Sequence, residues 1–277
     1  MPDPSSFLCH ALAAGFLALL AACEPAQDLR RGREALDRND LEEAQAAFGR
    51  ALADRPDDPD ALYGLGWTSH VAGRREEARL AFERCIQAAP GSPLGFKGLG
   101  SVALAEGELV EAEAWFGEAL DRAPGDRAVR NSLALVHLKA GRTQEALALY
   151  EALRHEDPAD AALALGQAQA FVQAARLPEA LAVVEAALAG RTAGARTAGL
   201  LHAMRARILV ALTAGRIEPD RCAGTVPPVL TRLDAAAADL EEAAERGVPA
   251  EDLLSTRRLL LRRREEIGAA CPGFAIP

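Results

Sequence analysis

The sequence predicts an all-α fold built from stacked pairs of antiparallel helices. Its apolar half is mainly alanine and leucine, and only 4% of the residues are aromatic, which suits close-packed helices. Small, aromatic and proline residues also recur every 34 positions. The series are Ala44, Ala78, Ala112 and Ala146; Phe48, Phe82, Phe116 and Tyr150; Pro56, Pro90, Pro124 and Pro158; and Gly32, Gly66 and Gly100 with Ala134 in fourth place. A strict period of this length is typical of a helical repeat array.

Each periodic position has a physical role within a helix pair. Gly66 and Ala78 fall where the two helices of one pair cross, and small side chains allow a close approach there. Phe82 is placed to fill the space between neighbouring pairs. Pro90 ends its helix, because proline cannot continue the backbone hydrogen bonding. A single pair cannot bury its own apolar face, so we expect several pairs to stack into one continuous core.

This register resembles the tetratricopeptide repeat, which places a small residue and an aromatic on helix A, then Ala, an aromatic, Ala and Pro on helix B. The second copy supplies Leu65-Gly66, Ala78, Phe82, Cys85 and Pro90, and the third supplies Leu99-Gly100, Ala112, Phe116, Ala119 and Pro124. The resemblance covers about residues 25–192 well and the remainder loosely. It implies an α-solenoid of about five to six helix-turn-helix repeats with a C-terminal capping helix.

The first repeat, residues 25–58, has a weak helix A followed by a regular helix B at Leu41–Ala53. Asp28 and Arg31 replace apolar residues on helix A, which suits an outer repeat that faces solvent. Asp60 is the expected N-cap of the next helix A, because an aspartate side chain can accept a hydrogen bond from the first turn.

The second, third and fourth repeats are regular and carry a glycine at the turn between their two helices. These glycines are Gly73, Gly107 and Gly141. A left-handed backbone ends a helix at little cost when the residue is glycine. In the fifth repeat Ala175 stands at the same position, so we expect this repeat to be degenerate, although Ala180, Val184 and Ala187 keep the phase.

The C-terminal part is less regular. Gly190–Gly199 is small and polar and is expected to be a loose connection, followed by a helix A at Leu200–Ala214. Pro219–Pro228 is expected to interrupt a sixth repeat as an insertion before helix B resumes at Val229–Arg246. A final helix at Glu251–Ile267 alternates leucines with arginines, as expected of a helix that covers an open end.

The N-terminus has the pattern of an export signal. Residues 7–22 are apolar, and the run is shorter than the about 20 residues of a membrane-spanning helix. Leu20-Ala21-Ala22-Cys23 resembles the bacterial lipobox, which implies that Cys23 becomes the acylated first residue. Residues 1–6 contain no Lys or Arg, so cleavage without lipid and a plain anchor remain alternatives. Glu24 in place of aspartate favours the outer membrane under the sorting rule of this resemblance.

We therefore expect residues 1–22 to be a lipoprotein signal peptide. Residues 23–192 are expected to form an array of about five repeats. Residues 193–277 are expected to contain the degenerate sixth repeat with its insertion, the capping helix and a tail. Several acyl chains on one cysteine would hold the protein firmly on a bilayer.

The other cysteines point to one disulfide. Cys85 occupies a helix B position that is alanine in neighbouring repeats, so we expect a small core residue. Cys222 and Cys271 would enter an oxidising compartment after export, and a bond between them would close a loop of roughly 50 residues, worth about 2–4 kcal/mol. The alternative is two thiols too far apart to bridge. The cysteine and histidine spacing predicts no metal site.

Composition and motifs argue against two classes of function. The net charge of −9 disfavours nucleic acid as a partner, because phosphate binding needs a basic surface. No nucleophile–histidine–acid order, pair of catalytic carboxylates or phosphate loop is recognisable in the sequence, and its five histidines are scattered. We expect neither catalysis nor a cofactor.

The tetratricopeptide resemblance implies that exposed helix A residues line a concave groove for a partner protein or peptide. The corresponding positions are Arg33, Tyr63, Trp67, His70, Lys97, Ser101, Asn131, Lys139, Gln169 and Gln173. Aromatic anchors beside polar groups are typical of peptide-binding surfaces. The alternative is that Tyr63 and Trp67 pack between repeats. Lys97 and Asn131 match only part of the carboxylate clamp known in this family.

These features predict a non-catalytic, lipid-anchored periplasmic scaffold for an envelope protein or peptide. Similarity to repeat lipoproteins that assist assembly of pilus or secretion secretins favours a pilotin-like role. The alternatives are an adaptor or regulatory subunit for a cell-wall enzyme, an enzyme, and a cytosolic repeat protein.

Overall fold

Helices make up all of the regular structure that is described for this chain. The computed structural model describes residues 26–190, 194–215, 222–272 and 274, and these contain thirteen helices and no β-strand. Cys23 and the predicted signal peptide lie outside the described residues.

The helices follow one another with short connections. They are α1 (26–37), α2 (Leu41–Asp54), α3 (Pro59–Val71), α4 (Arg75–Ala88), α5 (Leu94–Glu106), α6 (Leu109–Arg122), α7 (Arg127–Lys139), α8 (Thr143–Glu156), α9 (Ala161–Gln173), α10 (Leu177–Ala189), α11 (Ala195–Ala211), α12 (Cys222–Glu245) and α13 (Ala250–Ala270). The described residues divide into two compact units, the first ending at Val136 and the second beginning at His137.

In the first unit, helix B aromatic side chains are inserted between helix A glycines. Consecutive helices pack together, and α3 also packs against α5. Phe82 is fully buried, and a Cβ atom built on Gly66 or Gly98 would lie 2.6 Å or 2.3 Å from its ring. Real Cβ atoms do not approach a ring so closely, so these positions require glycine. The close crossing predicted at Gly66 is confirmed.

The second unit repeats this arrangement and adds a buried polar cluster. Tyr150 packs against Gly166, where a Cβ atom would lie 2.6 Å from the ring. The Asp239 carboxylate is 2% exposed and accepts hydrogen bonds from the Arg205 guanidinium at 2.7 and 2.8 Å. Its Oδ1 also lies 2.8 Å from His202 Nδ1. These contacts join α11 to α12 and satisfy a buried charge.

A disulfide joins Cys222 to Cys271 in the same unit, with their Cα atoms 5.9 Å apart. It connects the first residue of α12 to the residue that follows α13. The two helices also pack along each other, so the covalent link and the apolar contact hold the same pair together. Cys85 is buried and free, as its alanine-like position predicted.

The start of α11 departs from the sequence prediction. Ala195–Gly199, expected to be part of a loose connection, is helical, and α11 therefore begins before Leu200. Gly199 lies where a Cβ atom would come within 2.9 Å of the Val248 side chain. The small residues thus allow close helix packing, and this tertiary contact outweighs the low helix propensity of glycine.

The predicted insertion is also partly wrong. Residues 216–221 lie outside the described residues, but α12 starts at Cys222 rather than Val229. Pro227 and Pro228 are therefore inside the helix. They are its sixth and seventh residues, past the first turn, so each removes one backbone hydrogen bond of the helix. The final helix α13 is observed where Glu251–Ile267 predicted one.

Two expectations for the first repeats are wrong in detail. The N-cap of α3 is Asp58, whose carboxylate accepts hydrogen bonds from the backbone N–H groups of Asp60 and Ala61 at 3.1 Å. Pro59 fits the first helical position because it needs no N–H partner, so the helix starts before Asp60. Asp28 does not face solvent: it is 9% exposed and accepts a hydrogen bond from Arg50 Nε at 3.0 Å.

The turn within each of the first five helix pairs has a left-handed residue at the same place in the period. The φ angles are 58° at Asn39, 75° at Gly73, 84° at Gly107, 77° at Gly141 and 57° at Ala175. The three glycine turns are confirmed. Asparagine tolerates this conformation, whereas alanine brings its Cβ too close to the following carbonyl oxygen.

Replacing Ala175 by glycine is expected to raise the free energy of unfolding by about 1 kcal/mol, because it removes this clash. Urea unfolding followed by circular dichroism measures the change. Gly141→Ala, in the same unit and conformation, should lower the free energy by a similar amount. A loss of stability on Ala175→Gly would show that the turn is not left-handed.

Candidate functional site

An open cavity of about 320 Å³ lies on the first unit. We call it the aromatic cavity, and its lining residues are Arg33, Leu36, Phe48, Asp60, Tyr63, Gly64, Trp67 and Leu94. Three of the contributing helices, α1, α3 and α5, are the first helices of successive pairs. A Cβ atom on Gly64 would lie 2.4 Å from the Phe48 ring, so this fully buried ring occupies the place that a side chain would need. The cavity therefore has an apolar floor.

Two aromatic side chains of α3 form one wall. Tyr63 and Trp67 are four residues apart, on one helix face, and their ring centroids are 6.4 Å apart with an interplanar angle of 19°. Tyr63 also contacts Phe82, at 5.6 Å between centroids, and both residues pack against the core. Both side chains remain partly exposed. Packing between repeats and lining the cavity are therefore compatible.

One ion pair lies at the cavity. Arg33 Nη2 donates a hydrogen bond to Asp60 Oδ1 at 2.8 Å, and the two side chains are 61% and 50% exposed. An exposed pair of this kind contributes only about 0–1 kcal/mol. A ligand can therefore displace it and use the guanidinium and the carboxylate for its own hydrogen bonds.

Lys97 occupies the period position of Tyr63 in the next repeat and is also paired. Its Nζ donates to Asp126 Oδ2 at 3.3 Å. Asp126 in addition accepts hydrogen bonds from the backbone N–H groups of Ala128 and Val129 at the start of α7. Burial alone would raise the pKa of Asp126, but the Val129 N–H and the Lys97 ammonium hold it below its usual value. Asp126 therefore stays ionised and neutralises Lys97.

The other predicted groove residues are spread over both units. In the first unit His70 contacts Trp67, with ring centroids 5.2 Å apart, and burial lowers its pKa. Asn131 is half-buried, and Ser101 donates to the Lys97 backbone carbonyl oxygen at 3.0 Å. In the second unit Lys139 and Gln173 are exposed and Gln169 is half-buried. The structure thus gathers Arg33, Tyr63 and Trp67 around one cavity, with His70 beside Trp67.

Sequence reasoning missed five residues of the aromatic cavity, of which Phe48 was recognised only as a member of the periodic aromatic series. Leu36, Asp60 and Leu94 carry no pattern that separates them from core or cap residues. Gly64 had a detectable signal, because glycine recurs at Gly98 and Gly166 in the same 34-residue period. That second series marks where an aromatic ring lies against the next helix.

Both tyrosine hydroxyls are expected to ionise well above pH 10, the usual pKa of tyrosine. Their titration therefore tests whether Tyr63 is packed as the structure shows. Burial, followed by the Asp126 charge, raises the pKa of Tyr63 to about 12, and burial raises that of Tyr150 to about 12. Because the folded state holds these protons longer, their contribution to stability is complete below about pH 10 and is lost towards pH 12.

Titration of phenolate absorbance checks this expectation. The native protein should show no ionisation step near pH 10, whereas the urea-unfolded protein should show a step for two tyrosines. Tyr63→Phe isolates Tyr150. A native step near pH 10 that disappears in Tyr63→Phe would place the Tyr63 hydroxyl in solvent.

Family models of the tetratricopeptide repeat match residues 29–93 and 131–196 in one case and 103–155 in another. Together they take in more than half of the chain. The chain belongs to the tetratricopeptide repeat family. Proteins of this family are in general non-catalytic scaffolds that bind protein or peptide partners, and no enzyme family is indicated. No curated protein matches the sequence.

Solved tetratricopeptide repeat structures share the fold. A tetratricopeptide repeat protein from Parabacteroides merdae has a TM-score of 0.64 at 18% identity, over 86% of this chain and 84% of its own. PilF of Pseudomonas aeruginosa has a TM-score of 0.62 at 15% identity, over 86% and 98%. A thermophilic tetratricopeptide repeat protein from Thermus thermophilus has a TM-score of 0.60 at 21% identity. The match covers 65% of this chain and 98% of the other. At these identities the likeness establishes the fold alone.

No described helix is both long and apolar enough to span a bilayer. Within the described ranges, histidine, cysteine and acidic side chains form no group of three that could hold a metal ion.

Proposed function

We propose that this protein is a lipid-anchored periplasmic scaffold that binds a partner protein in the aromatic cavity and assists assembly of an envelope complex. The role is pilotin-like, in support of a pilus or secretion secretin. The protein itself contributes binding and positioning rather than catalysis.

The aromatic cavity carries this proposal. Tyr63 and Trp67 are held in place by the core yet remain partly exposed. Rigid aromatic side chains of this kind supply binding energy at a low entropic cost. An easily opened ion pair lies beside them, which suits a surface that exchanges its own polar contacts for those of a partner.

The membrane part of the proposal depends on the N-terminal sequence. The apolar run at residues 7–22 ends at Cys23, and the first described helix starts three residues later. An acylated Cys23 would therefore leave the first helix pair close to the bilayer surface. Labelling with palmitate in cells, compared between wild type and Cys23→Ser, tests the anchor. Equal labelling would contradict it.

Crosslinking in cells followed by purification of the membrane-anchored protein tests the binding role. Wild type should capture one main envelope protein, and Tyr63→Ala/Trp67→Ala should lose it. Trp115→Ala is the matched control, because Trp115 is also a partly buried tryptophan packed on the core but does not line the cavity.

The outcome separates the candidate functions. Equal capture by the double variant would contradict the role of the aromatic cavity. Capture of a secretin or pilus component supports the assembly role, whereas capture of a cell-wall enzyme favours the adaptor role. Each variant must first show the circular dichroism spectrum of the folded wild type.

A further inference from the structure

The aromatic cavity differs in its chemistry from a site that captures a free carboxyl terminus. Carboxylate capture needs cations with unsatisfied hydrogen-bonding capacity that face the ligand. The two cationic side chains predicted for the groove in this region, Arg33 and Lys97, each have an aspartate partner, and a ligand carboxylate that opened the exposed Arg33–Asp60 pair would still lie beside the Asp60 carboxylate, which repels it. The distances are 2.8 Å to Asp60 and 3.3 Å to Asp126.

The second of these pairs is the harder to open. The Lys97 and Asp126 side chains are only 25% and 22% exposed. Asp126 is further fixed by the two backbone N–H groups that it caps at the start of α7. Freeing Lys97 for a ligand carboxylate would leave this half-buried aspartate without its cation, which is costly.

What the cavity does offer is apolar volume. Its walls are Tyr63, Trp67, Leu36 and Leu94, and beneath them lies the fully buried Phe48 ring, which packs against Gly64. A large apolar side chain placed there would remove apolar surface from water on both partners. The exposed Arg33–Asp60 pair offers one donor and one acceptor, the complement of a peptide group.

The charge of the protein selects among apolar segments. At a net charge of −9, a segment with acidic flanks would be repelled and one with basic flanks attracted. The aspartates that neutralise Arg33 and Lys97 remove local positive potential that would otherwise favour acidic flanks.

We infer that the partner segment is an internal stretch of chain, flanked by basic residues, which inserts one large apolar side chain into the aromatic cavity and needs no free carboxyl terminus. This inference rests on the proposed binding role and defines the chemistry of the partner.

Peptide selection on the detergent-solubilised full chain provides the test. One display library carries the random stretch internally, and the other ends in a free carboxylate. Selected sequences are synthesised with blocked ends and as free acids, and dissociation constants are measured by calorimetry. Blocked and free forms should bind within about threefold of each other. Replacing the large apolar residue by alanine should weaken binding at least about tenfold.

Two variants of the protein complete the experiment. Trp67→Ala should weaken binding at least about tenfold, whereas Lys97→Ala should change it less than about threefold. Free acids that bind at least about tenfold better than blocked peptides would overturn the inference while leaving the binding role intact, whether Lys97→Ala or Arg33→Ala abolishes the difference. Selection of no peptide that depends on Trp67 would overturn the role of the cavity itself.

Discussion

Replacing Gly98 by alanine is expected to lower the free energy of unfolding of the first unit by about 2–3 kcal/mol. The added Cβ would lie 2.3 Å from Phe82 Cδ1 and 2.5 Å from Cγ, so the whole ring must move. Phe82 is fully buried between α3 and α5, and a Cβ atom built on Gly66 would lie only 2.6 Å from its ring, so the ring has no space in the opposite direction. Overpacking of this kind forces side chains off their preferred rotamers.

Tryptophan fluorescence during urea unfolding measures the effect, because both tryptophans, Trp67 and Trp115, lie in the first unit. Gly117→Ala is the matched control. Gly117 is also inside a helix, but nothing lies within 4 Å of its added Cβ. This change should raise the free energy of unfolding by about 0.5–1 kcal/mol. Equal effects of the two substitutions would contradict the inserted position of Phe82.

Removing the disulfide is expected to cost the second unit about 2–4 kcal/mol. The bond joins residues 49 apart in sequence, so it restricts a long loop in the unfolded chain. It also links the beginning of α12 to the end of α13, where the helices would otherwise fray. The variant that tests this prediction is Cys222→Ala/Cys271→Ala, and circular dichroism during urea unfolding measures the change in the unfolding midpoint.

The reductant supplies the control for this experiment. Wild type should lose stability when the bond is reduced, whereas the double variant should be insensitive to reductant, because Cys85, the cysteine that remains among the described residues, is buried and free. Burial raises the pKa of the Cys85 thiol to about 11, which keeps it protonated and unreactive. An unchanged midpoint in reduced wild type would contradict a stabilising role for the bond.

The repeat architecture was predictable because its cause is local and periodic. A 34-residue recurrence of small, aromatic and proline residues determines which face of each helix is apolar and where each helix ends. The glycine turns at Gly73, Gly107 and Gly141 followed from the same period. The role of each such position depends only on contacts within its own repeat and with the neighbouring repeats.

The features that differ from the sequence prediction have a different physical origin. Asp28 was expected in solvent because its own helix gives no reason to bury it, and only packing brings it to Arg50. The segment Ala195–Gly199 looked like a linker because its residues are small, yet small residues are also what a close helix contact requires. A linker and a close helix contact can have the same residue composition. Here the contact between Gly199 and the distant residue Val248 shows that the segment is helical and closely packed.

The sequence by itself thus determined the helical repeat, the order of the helices and the apolar faces that stack. Tertiary structure decided what the surface offers to a partner. Tyr63 and Trp67 line a cavity with Arg33 of the preceding helix pair, and Arg33 and Lys97 are paired with aspartates 27 and 29 residues away in sequence. Local patterns cannot encode such pairs, because a side chain's charge state and free hydrogen-bonding capacity depend on whichever groups the fold brings beside it.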